Sequence, residues 1–274
     1  IRDLVRSRGL GDVYKRQMLE CFDPADDADV MYWHRLAEVL KLAWRDRLEY
    51  LTDPDFAEVP VERLLSKDYA AGLVERTRQF PRWVDDLPAR FPPGAMHGTL
   101  HLSAADVEGN LVSATITQGM AFGACFVAGD TGLILSHGMC RFDPRPGRMN
   151  SVAPGKRPLN NAGTMLVETP ERFIATGLPG GRKIVSVMAR AAQHFVDADA
   201  SPLEAAEAPR MHVEAAEPVQ VTQSLDEEIV AGLREMGHEI EAVAGVAGAM
   251  HSADFDRADG TVRAGGNHWA AAAE

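Results

Sequence analysis

The chain has 274 residues, 46% apolar and 25% charged, a globular composition that excludes a disordered or fibrous protein. Forty acidic against 28 basic side chains leave a formal net charge of -12, and no long Lys/Arg cluster offers a footprint for phosphate backbones, so nucleic acid is not an expected partner. Cys21, Cys125 and Cys140 lie far apart without CxxC spacing, which indicates neither a disulfide framework nor a thiolate zinc site, and no apolar run reaches the roughly 18 residues of a membrane span.

Residues 1–17, IRDLVRSRGLGDVYKRQ, carry five basic and two acidic side chains at the start of an acidic chain. They resemble read-through translation of a sequencing adaptor and are set aside, with the natural sequence expected to begin upstream of Met18; the alternative is an ordinary basic arm. From Met31 to Leu51, Trp33, Leu36, Ala37, Leu40, Trp44, Leu48 and Leu51 recur at helical spacing and predict an amphipathic helix. DPDF at 53–56 stops it, because Pro54 disfavours helix at Asp53. A second helix is expected from Val61 to Arg78, followed from Pro81 to Gly94 by a Pro-rich exposed connection of the kind that tolerates cutting.

After Gly98 the pattern changes to strands. LHLSAADV at 100–107, a turn at Glu108–Asn110 and LVSATIT at 111–117 predict a hairpin, and GLILSH at 132–137, TMLVET at 164–169 and RFIATG at 172–177 predict further strands. A helix is expected after Gly180–Gly181 as far as Val196, and another at Ser201–Glu204, a capping box with Pro at the first helical position. The same capping spacing at Ser224–Glu227 predicts a helix ended by Gly237, with strands at 239–244 and 249–255 closing the chain. Hairpins, then helices, then hairpins indicate an α+β layered fold without alternating β-α-β units.

Six segments in order carry a resemblance: YWHRLAEVLKLAWRDRLEYLTDPDF at 32–56, TLHLS from Thr99, DVEGNLVSATIT at 106–117, APGKRPL at 153–159, GLPGG at 177–181 and EAPRMH at 207–212. Together they resemble the gamma-glutamyltranspeptidase family of N-terminal-nucleophile (Ntn) hydrolases. The resemblance implies a four-layer αββα sandwich, incomplete here because upstream strands are missing. It implies that residues 18–98 end a large subunit and that 99–274 form the small, catalytic subunit. The missing large-subunit portion would be the partner, and it would carry the Arg that binds the substrate carboxylate. A periplasmic or extracellular setting is implied, with the cytoplasm left open.

The chemistry has a physical logic. A threonine hydroxyl is a weak nucleophile near neutral pH; cutting the peptide bond before it frees an α-amine that serves as its base. The resemblance therefore implies self-cleavage between Gly98 and Thr99 by attack of Thr99 on the Gly98 carbonyl, Gly98 tolerating the close approach. Thr117 is expected to hydrogen-bond and orient the nucleophile. Gly180 and Gly181, ahead of a helix, are expected to offer backbone N–H groups as the oxyanion hole; GLPGGRKI lacks the GxxxxGK[ST] spacing of a phosphate loop. His101 shares the face of Thr99 and is a candidate on the substrate side, whereas His212 is expected to be structural.

Three departures put strict gamma-glutamyl specificity in doubt. Cys140–Arg141 stand where the family keeps two aspartates, one of which holds the substrate ammonium, and a cationic Arg141 would repel that group. Asn160–Asn161 replace two serines that grip the substrate carboxylate, though amide donors still suit one. Gly119 replaces an Asn. The expected substrate is a gamma-glutamyl-type amide, or a related small anionic acyl amide, with water or an amine as acceptor; a non-processing binding homologue is the rival from another class. No cofactor is expected, and with no ligand spacing among the nine histidines, no metal either.

Overall fold

The computed structural model describes residues 10–22, 29–79 and 97–267, so the connection expected at Pro81–Gly94 lies outside the described residues. Helix α1 (Leu10–Leu19) runs across the boundary placed after residue 17, and both Lys15 and Met18 are buried. Asp29 caps α2 (Val30–Tyr50), its carboxylate accepting from the Met31 N–H at 2.9 Å. The sequence reads α2 as amphipathic, yet the structure buries it on nearly all sides, including Glu38, Lys41 and Asp46. These charges are tolerated because each has a partner: Asp46 accepts from the Tyr69 hydroxyl at 3.0 Å, and Lys41 lies 2.5 Å from Glu38 and 3.0 Å from Glu217.

The single helix expected over Val61–Arg78 is two, α3 (Val61–Leu64) and α4 (Lys67–Gln79). Ser66 divides them, its hydroxyl accepting from the Tyr69 N–H at 3.3 Å as a helix cap does. Strands β1 (His97–Ala105) and β2 (Leu111–Met120) form the expected hairpin, whose turn is closed by the Asp106 carboxylate accepting from the Glu108 and Asn110 N–H groups at 3.0 and 2.9 Å. GLILSH is not a sheet strand. It folds back on residues 124–128 through a few backbone bonds and one bridge, Val127 to Ile134, around Gly132 at φ 72°.

Strands β3 (Met165–Glu168) and β4 (Arg172–Gly177) and helices α5 (Ile184–Val196) and α6 (Pro202–Glu207) follow as read, α6 with both halves of its capping box made. Strands β5 (Met211–His212) and β6 (Val219–Thr222) were not anticipated. Helix α7 (Glu227–Glu235) is capped by Asp226, not Ser224, the Asp226 carboxylate accepting from the Glu228 N–H at 2.7 Å. It is followed by β7 (Ile240–Val243), β8 (His251–Asp256) and an unanticipated β9 (Val262–Gly266). The sheets are β1-β2, an antiparallel β3-β4-β8-β9, and β5-β6-β7, in which β6 and β7 are parallel. Thus one β-α-β crossover, through α7, does occur within the α+β fold.

The chain divides into two compact units interleaved in sequence. One comprises 1–90, 139–160 and 209–246, and its core sets Trp33, Leu36 and Leu40 of α2 with Val219 and Val221 of β6 and Leu233 of α7. Two of the resembling segments are tied together in it: the Asp53 carboxylate takes a fork from Arg157, with Nη2 at 2.6 Å and Nε at 3.0 Å, and the Arg157 N–H at 2.8 Å. His212 packs edge-on against Trp44, the ring centres 6.1 Å apart, which is a structural role. The other unit comprises 91–138, 161–208 and 247–274. In it the β1–β2 hairpin lies across β4 and β8, while α5 and α6 lie against β3, β8 and β9 of the four-stranded sheet.

Candidate active site

Alternation along a strand sends successive side chains to opposite faces. On β1 that puts Thr99, His101 and Ser103 on one face, and the register pairs them across β2 with Thr117, Thr115 and Ser113. This polar face is the inward one. Ser103 Oγ donates to the His251 carbonyl of β8 at 2.9 Å, Ser113 Oγ donates to the Thr176 carbonyl of β4 at 2.8 Å, and His251 Nδ1 lies 2.9 Å from the His101 carbonyl. The opposite face carries Leu100, Leu102, Val112 and Ile116, each between 43% and 60% exposed.

At the end of this ladder, Thr99 Oγ1 and Thr117 Oγ1 are 2.7 Å apart. Thr117 Oγ1 also accepts from the Gly119 N–H at 2.9 Å and lies 3.3 Å from the Gly98 carbonyl oxygen, to which it donates. One hydroxyl therefore touches both the Thr99 hydroxyl and the carbonyl of the Gly98–Thr99 peptide bond. The register shifts between His97 and Thr99, which presses Gly98 onto β2: a Cβ there would stand 2.2 Å from the Met120 carbonyl oxygen. Close approach, not a left-handed backbone, is what demands glycine at 98.

His101 is only 4% exposed, and its ring nitrogens lie 2.8 Å from Thr115 Oγ1 and 3.0 Å from Ser103 Oγ. Burial, and then His251, pushes its pKa down to about 4, so the ring is neutral near pH 7. Both nitrogens are thus engaged within the sheet. The ring rests on Gly177, where an added Cβ would meet it at 2.3 Å. This contact brings β1 and the GLPGG segment together, a tie that no spacing in the sequence announces.

Beyond Gly177 the chain turns through Gly180 and Gly181 into a short 3-10 turn, Gly181–Lys183, and then α5. The first amides of such a start have no partner within the helix and point toward any anion placed there. The turn is clasped by residues 247–248: the Gly248 N–H donates to the Pro179 carbonyl at 2.8 Å, and a Cβ on Gly180 would stand 2.5 Å from the Cβ of Ala247. Thr99, Thr117, His101, Gly180, Gly181 and Asn161 belong to one compact unit, Arg141 and Asn160 to the other. Arg141 ends a 3-10 turn and its carbonyl accepts from Asn150 Nδ2 at 2.6 Å; the Asn160 carbonyl accepts from Arg47 Nη2 at 3.2 Å.

Comparison with known proteins bears on this geometry. A family model described as Gamma-glutamyltranspeptidase matches residues 13–274. Among curated proteins, the Acylase ACY 1 proenzyme of Pseudomonas sp. (strain SE83) is 37% identical over 233 residues, covering 84% of this chain and 40% of that protein. The Glutathione hydrolase proenzyme of Escherichia coli (strain K12) is 33% identical over 223 residues, covering 75% of this chain and 38% of that protein. The chain thus spans about two-fifths of the length of these relatives. Among solved structures, a cephalosporin acylase from Bacillus halodurans matches at 24% identity with a TM-score of 0.76, over 97% of this chain and 49% of that one. A gamma-glutamyltranspeptidase of Helicobacter pylori matches at 23% identity with a TM-score of 0.54, over 61% of this chain and 97% of that one. At these identities the likeness establishes the fold, the α+β Ntn-hydrolase sandwich of αββα type.

Proposed function

Because the chain belongs to the gamma-glutamyltranspeptidase family, as a divergent member, we propose that it carries the nucleophile of an autoprocessed Ntn acyl hydrolase or transferase, released at the Gly98–Thr99 bond. In this reading residues 18–98 end the larger subunit and 99–274 form the smaller one. The observation that carries it is the Thr117 hydroxyl, 2.7 Å from Thr99 Oγ1 and 3.3 Å from the Gly98 carbonyl oxygen.

That geometry supports the following route to self-cleavage. Thr99 Oγ1 attacks the Gly98 carbonyl carbon and passes its proton to Thr117 Oγ1, while Thr117 gives its own proton to the Gly98 oxygen. The tetrahedral intermediate collapses with scission of the C–N bond, the nitrogen taking a proton, to leave an ester on Thr99 and a free α-amine. Water hydrolyses the ester to a Gly98 carboxylate and a free Thr99 hydroxyl. In turnover the amine takes the hydroxyl proton, Thr99 attacks the substrate amide, and the Gly180 and Gly181 amides receive the developing oxyanion. The leaving amine departs with the proton, and the acyl ester passes to water or to an amine acceptor.

The donor in the leading reading is a gamma-glutamyl-type amide, as the name of the glutathione hydrolase relative suggests. A second reading, a small anionic acyl amide without an α-amine, is supported by Arg141 in place of an acidic residue and by the 37% identity to an acylase. The test begins with mass spectrometry of the purified full-length gene product. Two chains meeting at 98/99 are expected, and a Thr99→Ala variant is expected to stay intact; a wild-type chain that persists uncut overturns the proposal in favour of a non-processing binding homologue. Assays of the processed protein on gamma-glutamyl-anilide against simple acyl amides then separate the two donors.

A further inference from the structure

In the unit built around α2, three side chains with metal-binding atoms converge from distant parts of the chain. His34 and Glu38 are one helical turn apart and project from the same face of α2; His238 follows α7, 204 residues beyond His34. His34 Nδ1 and His238 Nε2 are 2.9 Å apart, and with a Glu38 carboxylate oxygen they form a set whose members all lie within 4.8 Å of one another. His238 turns its other nitrogen, Nδ1, to Glu217 Oε1 at 2.9 Å. A proton held there fixes the tautomer that aims the lone pair of Nε2 at His34, and a carboxylate behind a histidine in this way is the usual support of a metal-binding imidazole.

Charge and access are compatible with a cation. Glu38 and Glu217 against Lys41 leave one formal negative charge beside the two rings, and Lys41 can keep its 3.0 Å bond to Glu217 when Glu38 turns to an ion. With the His238 Nε2 lone pair aimed at it, His34 Nδ1 carries the proton of the 2.9 Å contact, and a change of tautomer that moves this proton to His34 Nε2 frees Nδ1 for an ion. Glu38 and His238 are buried and His34 is half-buried, which closes one side of the group and leaves solvent access on the other. Two nitrogens on a tetrahedral zinc stand roughly 3.3 Å apart, so the imidazoles need to part by only about 0.4 Å.

We propose that His34, Glu38 and His238 bind one divalent transition-metal ion of the zinc type, with Glu217 orienting His238 and water completing the coordination. Two imidazoles and a carboxylate are a donor set suited to zinc and poorly suited to magnesium or calcium. The ion fastens α2 to the segment after α7 and takes no part in acyl transfer. Sequence spacing missed it because two ligands are four residues apart and the third lies some two hundred residues on.

The test is titration of the chelator-treated full chain with Zn2+ by calorimetry and with Co2+ by visible absorption. One ion per chain, a tetrahedral cobalt spectrum and a rise in Tm with Zn2+ are expected. His34→Gln and His238→Gln are each expected to lose at least tenfold in affinity, and Glu217→Gln about 10- to 100-fold, while His137→Gln, in the other unit, loses none. A wild-type chain without the cobalt band, or binding that survives in the His34→Gln/His238→Gln pair, overturns the proposal and leaves a charge-satisfied polar network only. The wild-type spectrum decides even if the variants fold poorly.

Discussion

Thr117 has one proton and three neighbours. Its oxygen accepts from the Gly119 N–H and its proton goes to the Gly98 carbonyl, which leaves Thr99 Oγ1 to donate to it. Thr117→Ala removes the acceptor for the Thr99 proton and the donor to the scissile carbonyl together, and is expected to slow self-cleavage about 100-fold or more, read as the half-time of the intact band on a gel. Thr117→Ser is expected to retain most of the rate; equal rates for wild type and Thr117→Ala would remove Thr117 from the chemistry. Gly98→Ala is expected to block processing and to lower stability by about 1–3 kcal/mol, because its methyl has no space beside Met120. The facing of Thr99 and Thr117 was legible in the sequence, from strand alternation and the resemblance. The contact of Thr117 with Gly98 was not, because it depends on the register shift before Thr99, and the pattern of side chains does not encode a bulge.

At the scale of elements, what could be read was whatever is decided locally. The α6 capping box needs only Ser201 and Glu204, and the β1–β2 turn needs only Asp106 to Asn110, so both appear in the sequence as they do in the fold. GLILSH has the composition of a strand, but a strand exists only where another lies beside it, and this one finds a single bridge. Strands β5 and β9 have the converse problem: they are short, and their partners, β6 and β8, define them. The glycine turn is of this second kind too, since its seat comes from His101 and from residues 247–248. Gly177→Ala forces the His101 ring off β4 and is expected to cost about 1–3 kcal/mol in urea unfolding. It is also expected to reduce turnover of the processed full-length protein. Turnover at the wild-type level in a stable Gly177→Ala chain would mean that this contact does not position the turn.

For the molecule as a whole, one buried and one half-buried imidazole, His101 and His34, predict the response to acid. His101 and His34 each have a pKa of about 4 in the fold against 6.5 when free. Between those values the unfolded chain binds more protons, so stability is full above pH 6.5 and falls as pH drops toward 4. At about 1.36 kcal/mol per pH unit each gap contributes less than about 3 kcal/mol, because solvent screens a ring that is not fully enclosed. Urea midpoints measured over this range are expected to fall, and His101→Gln is expected to flatten part of the slope; an unchanged slope would mean that the ring is charged in the fold. The interleaving of the two units was not legible, because a linear reading divides the chain at 98/99 while the contacts join 139–160 and 209–246 to its first ninety residues. The hairpin that holds the threonine pair turns its hydroxyls inward and Leu100, Leu102, Val112 and Ile116 to the opposite face. Its polar side is moored to β4 and β8 through Ser113 and Ser103, so a substitution at Leu102, on the other side, is expected to leave the two threonines in register.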